Sequence, residues 1–291
     1  MAGPHAHGPG GQAGPQPMPT VKHIIGVGAG KGGVGKSTVA VNLAVALAKA
    51  GHAVGLLDAD VYGPSVPIMM GLADERPSVD QERKILPLAA HGVVFMSMGL
   101  LVAREDAVVW RGPMIARAVT QFCHDVRWGE LDYLIVDLPP GTGDVALSLA
   151  QTIPVTGTIV VATPQDVAFA DVTRALRMFE MLRLDVLGLV ENMAWFKCGN
   201  CDTRHQVFGE GRTAEHCEQK GIELLASLPL DERVSPNADA GKPIVVAEPN
   251  SDQAKIYTEL AQTVVDRQAA VLAAKEAPAE KHAAFFNTRP G

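Results

Sequence analysis

Short apolar runs rich in Val and Ile alternate along the chain with longer segments of helical periodicity. The apolar runs predict strands near residues 23–28, 53–57, 132–137, 157–162, 185–191 and 223–227. A helix is predicted directly after the first strand, over residues 37–50, with Gly51 as its C-terminal cap. Buried strands joined by helical crossovers are typical of a parallel sheet. We therefore expect a doubly wound α/β fold, with a mostly parallel sheet and helices on both faces.

Two later segments carry the pattern of amphipathic helices, at residues 166–183 and 251–276. In the first of them, apolar side chains recur at intervals of four, three and three residues, at Val172, Leu176, Phe179 and Leu182. Residues 79–109 differ, because their pattern indicates shorter strands and turns inserted between the second and third main strands.

The two ends of the chain differ in composition from the middle. Residues 1–20 are almost entirely Gly, Pro, Ala, Gln and His, which can bury little apolar surface, so we expect a disordered leader. Residues 276–291 are expected to form a flexible tail. Between these ends, residues 21–275 show no internal repeat and predict one domain, a size that a chain of 291 residues allows.

The net charge and the number of cysteines limit which partners the protein is expected to bind and in which cellular compartment it is expected to lie. The chain has 32 acidic and 25 basic residues, a formal charge of -7, which creates no overall field that attracts nucleic acid or anionic lipid. Neither nucleic acid nor a membrane is therefore an expected partner. Four cysteines do not make a disulfide framework, and the N-terminus lacks a secretory signal pattern, so a reduced, cytoplasmic compartment is expected.

The first predicted strand runs directly into the pattern G-x-x-x-x-G-K-[ST] and then into a helix, the context of a phosphate-binding loop. Backbone N–H groups of such a loop surround an anion, while Lys36 neutralises terminal phosphates and the Ser37 hydroxyl ligates Mg²⁺. The pattern therefore predicts a nucleotide, ATP, with Mg²⁺. The predicted binding residues are Gly30, Lys31, Gly32, Gly33, Val34, Gly35, Lys36, Ser37 and Thr38.

Carboxylates follow the second and third main strands. Asp58 and Asp60 end one strand, and Asp137 ends the other, just before Leu-Pro-Pro-Gly. Because ligands of parallel sheets bind at the carboxyl ends of the strands, these aspartates are expected beside the phosphate loop. Asp137 is predicted to hold Mg²⁺ through water, and the backbone N–H of Gly141 is predicted to sense a γ-phosphate.

Cys198 and Cys201 have two residues between them, in the segment that follows the strand predicted at residues 185–191. Such a pair can form a redox couple or bind a metal centre. A thioredoxin-like couple is disfavoured, because its motif belongs at the start of a helix in a smaller fold. A zinc site completed by His205 and Cys217, and an iron–sulfur cluster bridging two chains, remain as alternatives that the spacing alone leaves about equal.

A second lysine, Lys31, stands just inside the first glycine of the loop and produces the deviant Walker A sequence KGGVGKST. This sequence resembles the ATPases that include the Min and Par positioning proteins, the nitrogenase iron protein and the Mrp/ApbC carriers. Together with DADVYGPS, DLPPGTGD and ENMAWFKCGNC, it closely resembles the Mrp/ApbC family of iron–sulfur cluster carriers over residues 22 to about 260.

The resemblance implies a P-loop ATPase that ATP stabilises as a homodimer, with Lys31 reaching the phosphates bound by the partner subunit. It implies that Asp60 positions the attacking water and that Asp58 supports the switch loop. Asn192 and Pro229 are implied to flank the adenine. The implied catalytic residues are Lys31, Lys36, Asp60 and Asp137.

The same resemblance favours iron–sulfur over zinc. It implies that Cys198 and Cys201 hold a labile [4Fe–4S] cluster between the subunits, for transfer from an assembly scaffold to apo-proteins. Cys123 and Cys217 are instead expected to be small buried or half-buried residues. The alternative function is a Min/Par-like positioning ATPase that cycles on membrane or DNA. It is disfavoured because the C-terminal residues do not form a basic amphipathic pattern. Electron transfer of the nitrogenase type is also disfavoured, because its cluster cysteines are not arranged as C-x-x-C.

Overall fold

The structure, a computed structural model, describes residues 16–60, 63–100, 112–141, 153–209 and 211–276. Most of the predicted leader and tail lie outside these ranges, so the disorder predicted for both stays a prediction. In the described chain the strands are β1 Val21–Gly28, β2 Val54–Asp58, β3 Leu88–Ala90, β4 Val93–Ser97, β5 Leu131–Asp137, β6 Gly157–Ala162, β7 Val186–Glu191, β8 Phe196–Lys197, β9 Arg204–His205 and β10 Leu224–Ser227.

Eight of these strands form one sheet in the order β10-β7-β6-β1-β5-β2-β4-β3. Every pairing is parallel except β3 with β4, which is antiparallel and forms one edge. The six predicted main strands are confirmed, and the predicted insertion supplies β3, β4 and a 3-10 turn at Met98–Leu100. Its remaining residues, 101–109, lie outside the described chain.

The helices follow the predicted crossovers. They are α1 Lys36–Lys49, α2 Val66–Met69, α3 Gly112–Asp125, α4 Asp166–Met181, α5 Thr213–Lys220, α6 Val234–Asp239, α7 Ile244–Ala247 and α8 Asp252–Glu276. The predicted end of α1 is confirmed, because Gly51 adopts a positive φ of 96° directly after the helix cap. Within the described ranges, no helix is both long and apolar enough to cross a membrane.

Helices cover both faces of the sheet. Ile25 of β1 pairs with Gly157 of β6, so these two positions share a face, and a Cβ at Gly157 would meet Gln268 of α8. Gly28 points to the opposite face, because side chains alternate along a strand. A Cβ there would meet Phe179 of α4 at 2.8 Å. The predicted doubly wound arrangement is therefore confirmed.

The strand order also assembles the polar ends of three strands. The central β5 lies between β1 and β2, with Asp137 in register with Asp58 on one side and Val27 on the other. Since all three strands run parallel, the loop that follows β1 emerges at the same edge as both aspartates. The fold thus brings together groups such as Lys36 and Asp137, which are 101 residues apart in the sequence.

Gly55 of β2 provides a test of how tightly this sheet is packed. A Cβ there would lie 2.6 Å from Leu131 Cδ1, 3.0 Å from Leu134 Cδ1 and 3.2 Å from the Trp128 ring. We expect Gly55→Ala to lower the free energy of unfolding in urea by about 1–3 kcal/mol, because these buried side chains must shift. Gly63→Ala is the matched control, since its Cβ would meet nothing within 4 Å. This variant should change the free energy of unfolding by less than about 1 kcal/mol. Equal stability of the two variants would contradict the packing argument.

Candidate functional site

The phosphate loop connects β1 to α1 and is shaped by glycines. Gly33 and Gly35 have φ values of 80° and 83°, in the left-handed region that side chains disfavour. Helix α1 begins immediately afterwards at Lys36, so its N-terminus faces a cavity of about 230 Å³. This cavity is lined by Lys31, Gly32, Gly33, Gly35, Lys36, Ser37, Thr38, Asp60, Ser65, Met69 and Pro140. The geometry is that of an anion-binding helix terminus.

Lys36 is the centre of the charged part of the site. Its side chain is only 6% exposed and forms an ion pair with Asp137, while its Nζ lies 3.7 Å from Asp60 Oδ2. The same Nζ donates a hydrogen bond to Ser37 Oγ at 3.3 Å. The structure therefore brings together four of the residues that the sequence predicts for phosphate and magnesium chemistry.

Both carboxylates beside Lys36 have unused oxygen atoms. Asp60 Oδ1 and Asp137 Oδ2 are buried and have no hydrogen-bond partner among the described residues. Burial raises the pKa of Asp137, and the neighbouring Lys36 opposes that rise. Unpaired buried oxygens are costly. Beside the Ser37 hydroxyl they form the set of oxygen donors that Mg²⁺ prefers, so the residues present fit this cation.

Asp58 lies beneath this centre and holds the main chain that carries Asp60. It is completely buried, accepts the Asp60 N–H at 3.1 Å, and accepts the Ser97 hydroxyl at 2.8 Å. Ser97 in turn accepts the N–H of Gly99 at 3.1 Å. Sequence reasoning missed Ser97, although a polar residue at the carboxyl end of an apolar strand was a usable signal.

The cysteine pair lies on a separate two-stranded hairpin formed by β8 and β9. The Cys198 N–H donates to Thr203 O at 2.9 Å, and the Asp202 N–H donates to Cys198 O at 3.0 Å. Cys201 is exposed and Cys198 is half-buried. Hydrogen bonds from Thr203, first of its side chain and then of its backbone, hold the pKa of the Cys201 thiol below its usual value, with a smaller contribution from Cys198. The two cysteines therefore lie on one accessible hairpin, and the Cys201 thiol is the one whose ionisation these hydrogen bonds favour.

The two other cysteines do not join this hairpin. Cys123 and Cys217 are buried, as predicted, and burial raises the pKa of both thiols, that of Cys123 to about 12. In the chain as described, no group of three or more His, Cys, Asp and Glu side chains is placed to hold a metal ion. The zinc alternative, which required His205 and Cys217 beside the pair, is therefore not assembled within one chain.

Comparison with known proteins agrees with this combination of phosphate loop and exposed cysteines. Residues 20–265 match the model of the NUBPL iron-transfer P-loop NTPases, within the ParA group. The chain belongs to this family. It is 50% identical over 248 residues to the iron-sulfur cluster carrier protein of Aquifex aeolicus, covering 85% of this chain and 68% of that protein. It is 43% identical over 264 residues to the iron-sulfur cluster transfer protein NUBPL of Dictyostelium discoideum, covering 89% and 82% of the two chains.

Solved structures show the same fold. A nucleotide-binding protein from Archaeoglobus fulgidus, in complex with ADP, superposes with a TM-score of 0.72 at 39% identity, covering 82% of this chain and 93% of that one. The cell division ATPase MinD of Pyrococcus furiosus superposes with a TM-score of 0.63 at 23% identity, covering 84% and 98%. The MinD likeness concerns the fold alone.

Two further residues of this NUBPL-family chain were predicted to flank an adenine. Asn192 donates from Nδ2 to Val34 O at 2.9 Å, so its amide contacts the back of the phosphate loop. Pro229 lies after β10 and lines a separate open cavity of about 660 Å³, beside Cys198 and the hairpin. The structure thus places Asn192 against the loop and Pro229 in the cavity that Cys198 also lines, and their adenine contact stays a prediction.

Lys31 and Gly141 have local partners in this structure. Lys31 Nζ donates to Gln165 Oε1 at 3.3 Å, and the Thr163 hydroxyl donates to the same oxygen at 3.4 Å. The Gly141 N–H donates to Ala29 O at 2.9 Å. The single N–H of Gly141 must leave Ala29 to reach a phosphate, so its predicted role requires a local rearrangement, whereas the Lys31 ammonium has two further N–H donors.

The buried Asp58 predicts how stability depends on pH. Burial, reinforced by the neighbouring Asp137 carboxylate, raises the pKa of Asp58 from 3.8 to about 8. The folded protein therefore keeps a proton that the unfolded chain releases, and this stabilising contribution is full below about pH 4 and is lost as the pH rises to 8. We expect Asp58→Asn to flatten the fall in unfolding free energy between pH 5 and 8, measured by urea denaturation of metal-free protein. Parallel pH profiles of variant and parent would contradict this assignment.

Proposed function

We propose that this chain is an ATP-dependent iron–sulfur cluster carrier. In this proposal two identical chains, each a Mg²⁺-dependent ATPase, hold a labile [4Fe–4S] cluster between their cysteine hairpins and transfer it to apo-proteins. The observation that carries the proposal is an accessible Cys198–Cys201 hairpin attached to a phosphate-loop domain of the iron-transfer family. The curated relatives named above are called carrier or transfer proteins for such clusters.

The number of ligands supports a site shared by two chains. A cluster of the four-iron type takes four thiolates, and one hairpin supplies two. A second copy related by a twofold axis would supply the other two, since such an axis presents the same surface from both subunits. Exposed ligands divided between subunits suit a carrier, because a recipient protein can displace them one at a time.

The ATPase half of the proposal rests on the buried charges around Lys36. The loop N–H groups and Lys36 would bind the phosphates, and Ser37, with Asp137 and Asp60 close by, would hold Mg²⁺. Bound Mg²⁺ would supply positive charge to the phosphate oxygens. Asp60, whose Oδ1 is unpaired, would orient the attacking water. Hydrolysis of this kind needs positioning and charge stabilisation and no covalent intermediate.

A positioning ATPase on membrane or DNA has less support. The main support for this alternative is the fold shared with MinD, at 23% identity. A positioning role does not explain why the chain carries an accessible cysteine hairpin. Nucleotide-dependent co-sedimentation with liposomes or DNA would favour it over the carrier. The cytoplasmic location predicted from cysteine usage stays a prediction.

Cluster binding is tested by metal analysis after anaerobic reconstitution. We expect about two iron and two acid-labile sulfide per chain, and close to none in the variant Cys198→Ala with Cys201→Ala. Both residues lie on the hairpin outside the core, so the variant should fold. Cys123→Ala is the control and should keep the cluster, since its thiol is buried. Undiminished iron in the double variant, or zinc without sulfide in the parent, would overturn the proposal.

The role of Lys31 across the dimer is tested by kinetics. We expect Lys31→Ala to bind ATP but to hydrolyse it about 100-fold more slowly, as when one charge-stabilising donor is removed. Wild-type activity per chain should rise with protein concentration, because the site is completed by the partner. Lys22→Ala is the control, since that exposed lysine pairs with Asp132 away from the loop. Hydrolysis by Lys31→Ala at the parental rate would exclude the intermolecular role.

A further inference from the structure

Both ends of the cysteine-bearing segment meet at two adjacent residues. Glu191 and Asn192, at the end of β7, precede the hairpin in sequence, and Thr213 follows it at the start of α5. Glu191 and Asn192 are each 7% exposed and Thr213 is 3% exposed, so all three are buried. The hairpin therefore extends from one compact, hydrogen-bonded base.

The entry side of this base is bonded to the phosphate loop. Asn192 Nδ2 donates to Val34 O at 2.9 Å, and the Asn192 N–H donates to Ala162 O at 2.7 Å. The contact is so close that a Cβ on Gly35 would overlap the Asn192 amide nitrogen. The side chain that begins the hairpin segment is thus in direct contact with the loop main chain.

This hydrogen bond also fixes the direction of a neighbouring donor. The Val34 carbonyl and the Gly35 N–H belong to one peptide unit, which is trans, so the two groups point in opposite directions. Asn192 binds the carbonyl, so the Gly35 N–H is directed away from Asn192, and Gly35 lines the phosphate cavity. An anion bound to that N–H polarises the peptide and strengthens the bond that its carbonyl accepts.

The segment between Asn192 and the thiols is fixed by backbone hydrogen bonds to the chain that follows β10. Ala194 N–H donates to Leu228 O at 2.9 Å, and Leu230 N–H donates to Trp195 O at 2.7 Å. Phe196, the first residue of the hairpin, then forms a parallel bridge with Leu230. A shift at Asn192 therefore moves the hairpin instead of being absorbed by a loose linker.

The exit side is closed by a buried carboxylate. Glu191 accepts the Thr213 hydroxyl at Oε1 and the Ser227 hydroxyl at Oε2, the latter at 2.8 Å. A Cβ on Gly211 would lie 3.1 Å from the same Oε1 and 2.9 Å from Pro164. The end of the segment is thus held against the residue that precedes Asn192.

From these contacts we infer that Asn192 is a positioning residue that couples phosphate binding in the loop to the geometry of Cys198 and Cys201. Phosphate at the Gly35 N–H strengthens the Asn192 bond to Val34 O, and the clamp formed by Glu191 and Thr213 makes the hairpin follow. Nucleotide binding then restrains the two thiols. The inference deepens the proposed carrier function and rests on it for its biological meaning.

The test measures thiol reactivity in cluster-free protein with and without saturating MgADP. Alkylation of Cys198 and Cys201 is followed peptide by peptide, and sedimentation is used to compare only samples of equal oligomeric state. We expect MgADP to slow alkylation about fivefold in the parent. In Asn192→Ala, MgADP should slow alkylation by no more than about twofold, at ADP concentrations that saturate the variant.

Asn42→Ala is the matched control. Asn42 is a buried asparagine of α1 whose Nδ2 donates to Thr38 O at 2.9 Å, the same type of bond without a connection to the hairpin. Asn42→Ala should lose thermal stability but keep the fivefold slowing of alkylation by MgADP. If Asn192→Ala lost this response only through a general loss of stability, Asn42→Ala would lose it as well.

Thr213→Val provides a second variant that leaves the phosphate loop untouched. It removes the hydroxyl that Thr213 donates to Glu191 at the end of the cysteine-bearing segment. We therefore expect unchanged ADP affinity, while MgADP slows alkylation by no more than about twofold. A fivefold slowing of alkylation by MgADP in Asn192→Ala, or in Thr213→Val, overturns the inference. The absence of any slowing in the parent overturns it as well. Because the assay uses cluster-free protein, its failure is distinguishable from a failure to bind the cluster, which iron and sulfide analysis reports separately.

Discussion

A buried lysine between two carboxylates is the interaction on which the site depends. Lys36 is almost inaccessible, and Asp137 is completely so. Burying charges in this way is costly unless they are paired, and the pairing here is incomplete, because one oxygen of Asp137 and one of Asp60 lack a partner in the described chain. The sheet supports this arrangement because β2 and the carboxyl-terminal parts of β1 and β5 are buried. The result is a preformed site suited to a phosphate and a cation.

The cysteine hairpin is built on the opposite principle. Three of its four strand residues are exposed, and hydrogen bonds of the Cys201 thiol and the Cys198 N–H with Thr203 hold the pair instead of a packed core. An exposed pair can reach another chain, whereas a buried cage could not release its contents. Stability is therefore concentrated at the base of the hairpin, where Glu191 and Asn192 are buried. The phosphate-loop domain and the accessible cysteine hairpin meet at that base.

Local patterns predicted much of this structure. The six main strands and the helix after the phosphate loop follow from apolar periodicity and from the glycine punctuation at Gly51, which act over a few residues. The grouping of Lys36, Asp60 and Asp137 was predictable, because parallel strands end at one edge. Ser97 and Gln165 were missed, since each acts through a partner distant in sequence and neither belongs to a motif.

The amino-acid sequence by itself determined the fold class, the phosphate loop and the presence of two closely spaced thiols, because these depend on residue type and short-range spacing. The tertiary structure decided which groups meet. It placed Asn192 against Val34 and kept Cys217 away from the cysteine pair. Such contacts join segments far apart in the chain, and they depend on strand order and on how closely backbones approach, as at Gly35, which no local pattern encodes.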